Sequence, residues 1–215
     1  MINYKSISEF SEVVFSCRLA FSKSSWPYML ASAIPWLMLS GQRSVRRLAA
    51  GDMLKKHETS FYRFFSSYKF RPEVFFKALL MLVIDTFKLK ELTLAVDDTL
   101  CPKWGKKIFG AAYLFDHVKR PRPGTIWGHN LVVVSVVINT HGVFASLPVW
   151  VSLYRPKNVC KKSEFKTRLQ LTNEAMEKIK QWAKRPILLL ADGAYNNKTS
   201  GLLHILTVPE LLCRK

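Results

Sequence analysis

The sequence predicts an α/β fold, a mixed sheet flanked by helices, set behind a helical N-terminal region. Three observations predict it. Apolar residues recur at helical steps up to about residue 90, β-branched runs replace them afterwards, and two of the later runs end in aspartate.

The N-terminal part justifies its helices by spacing. Phe61, Phe64 and Phe65, then Phe75, Phe76, Leu79, Leu80 and Val83, follow three- and four-residue steps, the pattern of a buried helix face. Pro72 suits the first turn of the second helix, where a missing N–H costs nothing. The aromatic stripe is read as core packing. The apolar stretch Pro27 to Ser40 is interrupted by Pro35 and falls short of the roughly 20 residues a membrane-spanning helix needs. It too reads as core, and no membrane partner is expected. Glu9 and Glu12 at the start of the chain argue against a secretory signal.

After residue 90, LTLAV (92–96), NLVVVSVVIN (130–139) and VFASLPVWVSLY (143–154) read as three successive strands. The last two are joined by a tight turn at Thr140-His141-Gly142, which makes a meander. A helix is expected from about Ser163, its N-cap candidate, to Trp182, with Leu169, Leu171, Met176 and Ile179 among its apolar positions. PILLLAD (186–192) is a continuous apolar run bounded by Pro186 and Gly193, as in a central strand covered on both faces. HILTVP then reads as the next strand or its exit.

Composition bounds the chemistry. The chain has 215 residues, 49% of them apolar, enough for one substantial core or two small domains. Its 33 Lys+Arg against 15 Asp+Glu leave a formal charge of +18, which attracts phosphate backbones or other anionic surfaces. Cys17, Cys101, Cys160 and Cys213 are far apart and form no CxxC pair, so neither a zinc ribbon nor a dithiol site is suggested and reduced thiols in the cytoplasm are the expectation.

Within this cationic chain the strand LTLAVDD carries Asp97 and Asp98, and PILLLAD ends in Asp192. Functional groups gather at the C-terminal ends of strands in open α/β sheets. On neighbouring strands these carboxylates would converge, repel and call for a cation between them. Hard ions such as Mg²⁺ or Mn²⁺ take oxygen ligands and are held by one or two carboxylates together with substrate phosphates. A pair of such ions about 4 Å apart can drive phosphodiester cleavage. An Asp-Thr-Gly protease loop is excluded, because Leu100 stands where the glycine is required.

Three strands, a helix and a strand bearing the second aspartate are the start of the ribonuclease H arrangement. The segments AVDDT (95–99), GKKIFGA (105–111), IWGHN (126–130), LYRPK (153–157) and LLADGAY (189–195) together resemble the DDE-type transposases of bacterial insertion sequences. The likeness is to the IS701-like branch of the IS4-related group, and it runs from about Ser60 to Gly201. It implies a ribonuclease H-like core, 91–215, behind a helical region, 1–90, with a DNA-binding role. Two aspartates and a glutamate of that core bind two Mg²⁺ (or Mn²⁺) and perform strand cleavage and transfer. The implied partners are double-stranded DNA, as element ends and target, and a second copy in a synaptic complex. The implied setting is a nucleoid-associated protein of the bacterial cytoplasm.

The resemblance places the catalytic metal ligands at Asp98 and Asp192. Alternation along the strand leaves Asp97 and Asp98 open, whereas the related transposases set their acid directly before a threonine, here Thr99. The third acid should sit on a helix well beyond Asp192, but the only later acidic residue is Glu210. The chain therefore reads as truncated, without its distal catalytic helix, and as a transposase fragment or a non-catalytic DNA-binding remnant.

His129 reads as a structural or capping residue rather than a metal ligand. Tyr154-Arg155-Pro156-Lys157 is either a phosphate grip or a solvated loop. Between Cys101 and Asn130, Lys103, Lys106, Lys107, Lys119, Arg120 and Arg122 face Asp116 alone, and with Trp104 and Trp127 they could form a basic, aromatic flap.

Overall fold

The computed structural model describes residues 14–38, 44–51, 57–67, 70–116, 124–140, 142–192 and 205–207. The chain forms two compact units, Met1–Leu82 and Val83–Lys215.

The first unit is helical. Its helices are α1 (Trp26–Met38), α2 (Val45–Ala50), α3 (Glu58–Ser67) and the first part of α4 (Pro72–Phe87). Ser22 and Ser25 exchange backbone-to-hydroxyl hydrogen bonds of 3.0 and 3.1 Å just before α1, satisfying donors that a helix start leaves open. Ser44 caps α2 by accepting from the Arg47 N–H, and α4 opens on Pro72 as the sequence predicts. The aromatic residues build the core: Tyr28 meets Phe61 edge-on at 5.7 Å and stacks on Phe64 at 5.9 Å. Phe21, Phe70 and Phe75 form a second ring cluster. Pro35 lies buried inside α1. No helix among the described residues is long and apolar enough to cross a membrane.

The second unit is a six-stranded mixed sheet: β1 (Leu92–Pro102), β2 (Ala112–Asp116), β3 (Gly124–Thr140), β4 (Val143–Tyr154), β5 (Ile187–Ala191) and β6 (Ile205–Thr207). The long strand β3 is antiparallel to β1 along one edge, while β2 and β4 share its other edge. On the far side of β1 come β5 and then β6, both parallel to it. Helix α5 (Arg168–Ala183) connects β4 to β5. This is the ribonuclease H-like sheet, with β2 added beside β3.

Alternation defines the face under α5. Leu92, Leu94 and Val96 of β1, Val132, Val134 and Val136 of β3, and Leu189 and Ala191 of β5 are buried, as are Ala175, Met176 and Ile179 of α5. Trp150 of β4 meets Trp182 of α5 at 5.8 Å on the same face. A bulge between Val134 and Ser135 lets β4 insert Val149 into the core and leaves Pro148 exposed.

Four expectations are corrected. β1 runs on to Pro102, so Asp97 and Asp98 lie within the strand rather than at its end. β2 interrupts the meander: Ala112, Leu114 and Asp116 are buried and Tyr113 and Phe115 exposed, a short alternating strand hidden inside a basic stretch. β3 starts at Gly124, six residues before the predicted run, because β2 supplies a partner for its first part. The helix starts at Arg168 and not near Ser163, since Thr167 and Gln170 cap each other reciprocally while Ser163 sits in a separate short turn.

The hairpin between β3 and β4 turns where predicted, at Thr140↔Val143. Gly142 adopts φ +82°, open to glycine without strain, and donates its N–H to Asn139 Oδ1. His141 lies outside the described residues.

Candidate metal and DNA site where beta1 outruns beta5

Strand β5 ends at Ala191, paired with Val96. The next residues, Asp97 and Asp192, therefore emerge at the same level on neighbouring parallel strands, and Asp98 follows one step further along β1. Beyond that level β1 continues to Pro102, paired with β3. The two acid-bearing segments predicted from sequence are thus adjacent, and β1 runs on past the last paired residue of β5.

Asp97 and Asp98 have opposite surroundings, because successive strand residues point to opposite faces. Asp97 is exposed, and its Oδ1 accepts from the Asp98 backbone N–H at 2.7 Å. Asp98 continues the face of Leu94 and Val96 that α5 covers, and it is half-buried. Its Oδ2 accepts from Asn130 Nδ2 at 2.7 Å. The register Asp98↔Val132 and Leu100↔Asn130 makes these two residues diagonal neighbours on one face. Asn130, 0% exposed, is in turn paired with Tyr154 of β4.

The first residue of α5 completes the cluster. Arg168 Nε lies 3.5 Å from Asp98 Oδ2, and its guanidinium lies over the Tyr154 ring at 5.0 Å. Neither the early prediction of the helix start nor any motif marks this residue. The Thr167-x-x-Gln170 capping box is the signal that would have placed Arg168 at the head of the helix.

Asn130 Oδ1 is buried with no hydrogen-bond partner among the described residues. An unpaired amide oxygen and a carboxylate held by the same amide are both of the oxygen class that a hard divalent cation takes as ligands, while Asp192 stands level with Asp97 on the adjoining strand. No group of three His, Cys, Asp or Glu gathers among the described residues. Asp192 is exposed at the exit of β5, and Glu210 lies outside the described residues.

The basic, aromatic stretch is partly held in place. Trp127 Nε1 donates to the Gly105 carbonyl at 2.8 Å, and His129 Nε2 lies 2.8 Å from the Phe109 carbonyl. His129 therefore ties down a loop, as the structural reading expects. Trp127 packs on Tyr113 at 5.1 Å, so the outward indole is that of Trp104, 93% exposed. Arg155 pairs with Glu164 at 3.0 Å and lies over Phe109, while Lys157 lies over Phe165. This cluster is packed against its own loop. Residues 117–123 of the stretch lie outside the described residues.

A ribonuclease H-like sheet with aspartates on neighbouring parallel strands, in a chain of formal charge +18, fits the nuclease and transposase class of that fold. A family model of the DDE superfamily endonucleases matches residues 21–205, and the chain belongs to that family. Membership implies a DNA substrate and, as is general in the superfamily, divalent metal ions. No curated protein matches the chain.

Proposed function

We propose that the second unit carries the DNA cleavage and strand-transfer centre of an insertion-sequence transposase of the IS701-like, IS4-related group, with Asp98 and Asp192 as its metal ligands. The observation that carries the proposal is the parallel register of β1 and β5, which brings the two acid-bearing segments side by side in a cationic domain. Mg²⁺ or Mn²⁺, when bound, would activate the attacking oxygen and stabilise the leaving one. The chain's own residues do the rest. Asn130 orients the Asp98 carboxylate through its Nδ2 donor, and surface Lys and Arg hold phosphates without reading sequence. The helical region 1–90 would add DNA contacts, and two copies would bring together element ends and target.

A second reading, carried from the sequence, is a DNA-binding regulator without catalysis, whose basic charge alone would serve that role. Calorimetric titration with Mn²⁺, paired with a plasmid-nicking assay, separates the two. Metal binding and nicking that are both lost in Asp98→Asn and in Asp192→Asn support the transposase centre. DNA binding with neither metal binding nor nicking supports the regulator.

A further inference from the structure

Among the described ion pairs, Arg155–Glu164 and Lys166–Glu174 are peripheral, whereas Arg168–Asp98 reaches the proposed metal ligand itself. That contact is incompletely made. The Nε–Oδ2 distance is 3.5 Å, and Nε is buried without a hydrogen-bond partner among the described residues. The guanidinium is held instead by the Tyr154 face, and the side chain remains 39% exposed against 26% for Asp98. A planar guanidinium stacked on an aromatic ring keeps its remaining donors in a fixed fork, the arrangement that suits bidentate capture of a phosphate.

A divalent cation on Asp98 and the Arg168 guanidinium would compete for the same carboxylate oxygen, and as like charges they would repel. We propose that Arg168 is a positioning residue of the DNA site. It balances Asp98 while no metal is bound, and when an ion takes the carboxylate it turns on its Tyr154 platform toward a phosphate of the DNA. This role rests on Asp98 being a metal ligand, as proposed above. It makes metal and DNA binding mutually reinforcing, because each ligand releases Arg168 from the competing partner, and such coupling is reciprocal.

The test measures Mn²⁺ affinity in the absence of DNA, and DNA affinity across a salt series, for the full chain and its Arg168→Gln, Arg168→Lys and Asp98→Asn variants. Circular dichroism confirms that each is folded. Arg168→Gln is expected to tighten Mn²⁺ binding by roughly two- to fivefold, the worth of a partly exposed ion pair. It should also lower the slope of log DNA affinity against log salt by about 0.9, one phosphate contact. Arg168→Lys should return Mn²⁺ affinity toward that of the parent while leaving DNA binding weaker, since an ammonium lacks the fork. A purely structural ion pair predicts the opposite sign, with Mn²⁺ binding weakened in Arg168→Gln as Asp98 loses its anchor. That result, or an unchanged salt slope, overturns the proposal. Mn²⁺ binding unaffected by Asp98→Asn would instead overturn the assignment of Asp98, and this proposal with it.

Discussion

Asn130 Nδ2 donates to Asp98 Oδ2 at 2.7 Å from a side chain with no solvent exposure, so the proposed metal ligand is oriented by a buried amide two strand positions away on β3. A hydrogen bond to a charged acceptor is worth about 1.5–3 kcal/mol. Asn130→Ala should lower unfolding free energy by that amount in urea titration and weaken Mn²⁺ binding as well. A loss of stability with unchanged metal affinity would show that the amide serves the fold alone.

The two adjacent aspartates should differ. Asp98→Asn and Asp192→Asn are each expected to weaken Mn²⁺ binding at least tenfold, about 1.4 kcal/mol, whereas Asp97→Asn changes it less, because Asp97 lies on the opposite, exposed face and serves its own strand. Calorimetry on the three variants decides the point. Loss confined to Asp97→Asn would reassign the ligand to the residue level with Asp192.

DNA binding should be strongly salt-dependent and weakly selective, given the formal +18 charge. Each neutralised phosphate contributes about 0.9 to the slope of log affinity against log salt on duplex DNA. Fluorescence anisotropy with unrelated duplexes from low to high salt measures it, and a flat response would count against an electrostatic interface.

Gly128 of β3 is paired with Pro102 of β1 on one side and Ala112 of β2 on the other. A Cβ there would stand 2.3 Å from the Cys101 carbonyl oxygen, and the obstruction is backbone, which cannot swing aside. Gly128→Ala should lose at least the roughly 1–3 kcal/mol typical of overpacking. Thermal unfolding checks it, and an unchanged melting temperature would mean that the strands can separate there at little cost.

Thr167 should be worth about 0.5–2 kcal/mol as an N-cap, because its hydroxyl accepts from the Gln170 N–H while Gln170 returns a bond to the Thr167 backbone. Thr167→Ala is expected to lose that stability and, by fraying the turn that carries Arg168, to alter DNA affinity. Thr167→Ser should restore both. Failure of serine to rescue would show that the methyl group, not the cap, matters.

The sequence by itself determined the longer strands and the helix after residue 90, in their order, and the helical character before it. Those features rest on local periodicity: Leu94 and Val96 alternate, Phe61 and Phe64 recur, and Pro72 opens a helix wherever the chain goes next. It also singled out Asp97, Asp98 and Asp192 as chemically costly groups on apolar strands, and the preference for Asp98 over Asp97 came from the resemblance to related transposases. It did not show β2, whose five residues alternate too briefly to stand out, nor the full length of β1, because Asp97 and Asp98 look like a strand terminus until β3 is seen to pair past them. Only the tertiary structure decided which residues meet. The parallel register setting Val96 against Ala191, the diagonal contact of Asn130 with Asp98, and the arrival of Arg168 from a helix 70 residues downstream of that aspartate are long-range relationships. No local propensity encodes them, because they depend on strand order and on where the Thr167 cap starts the helix.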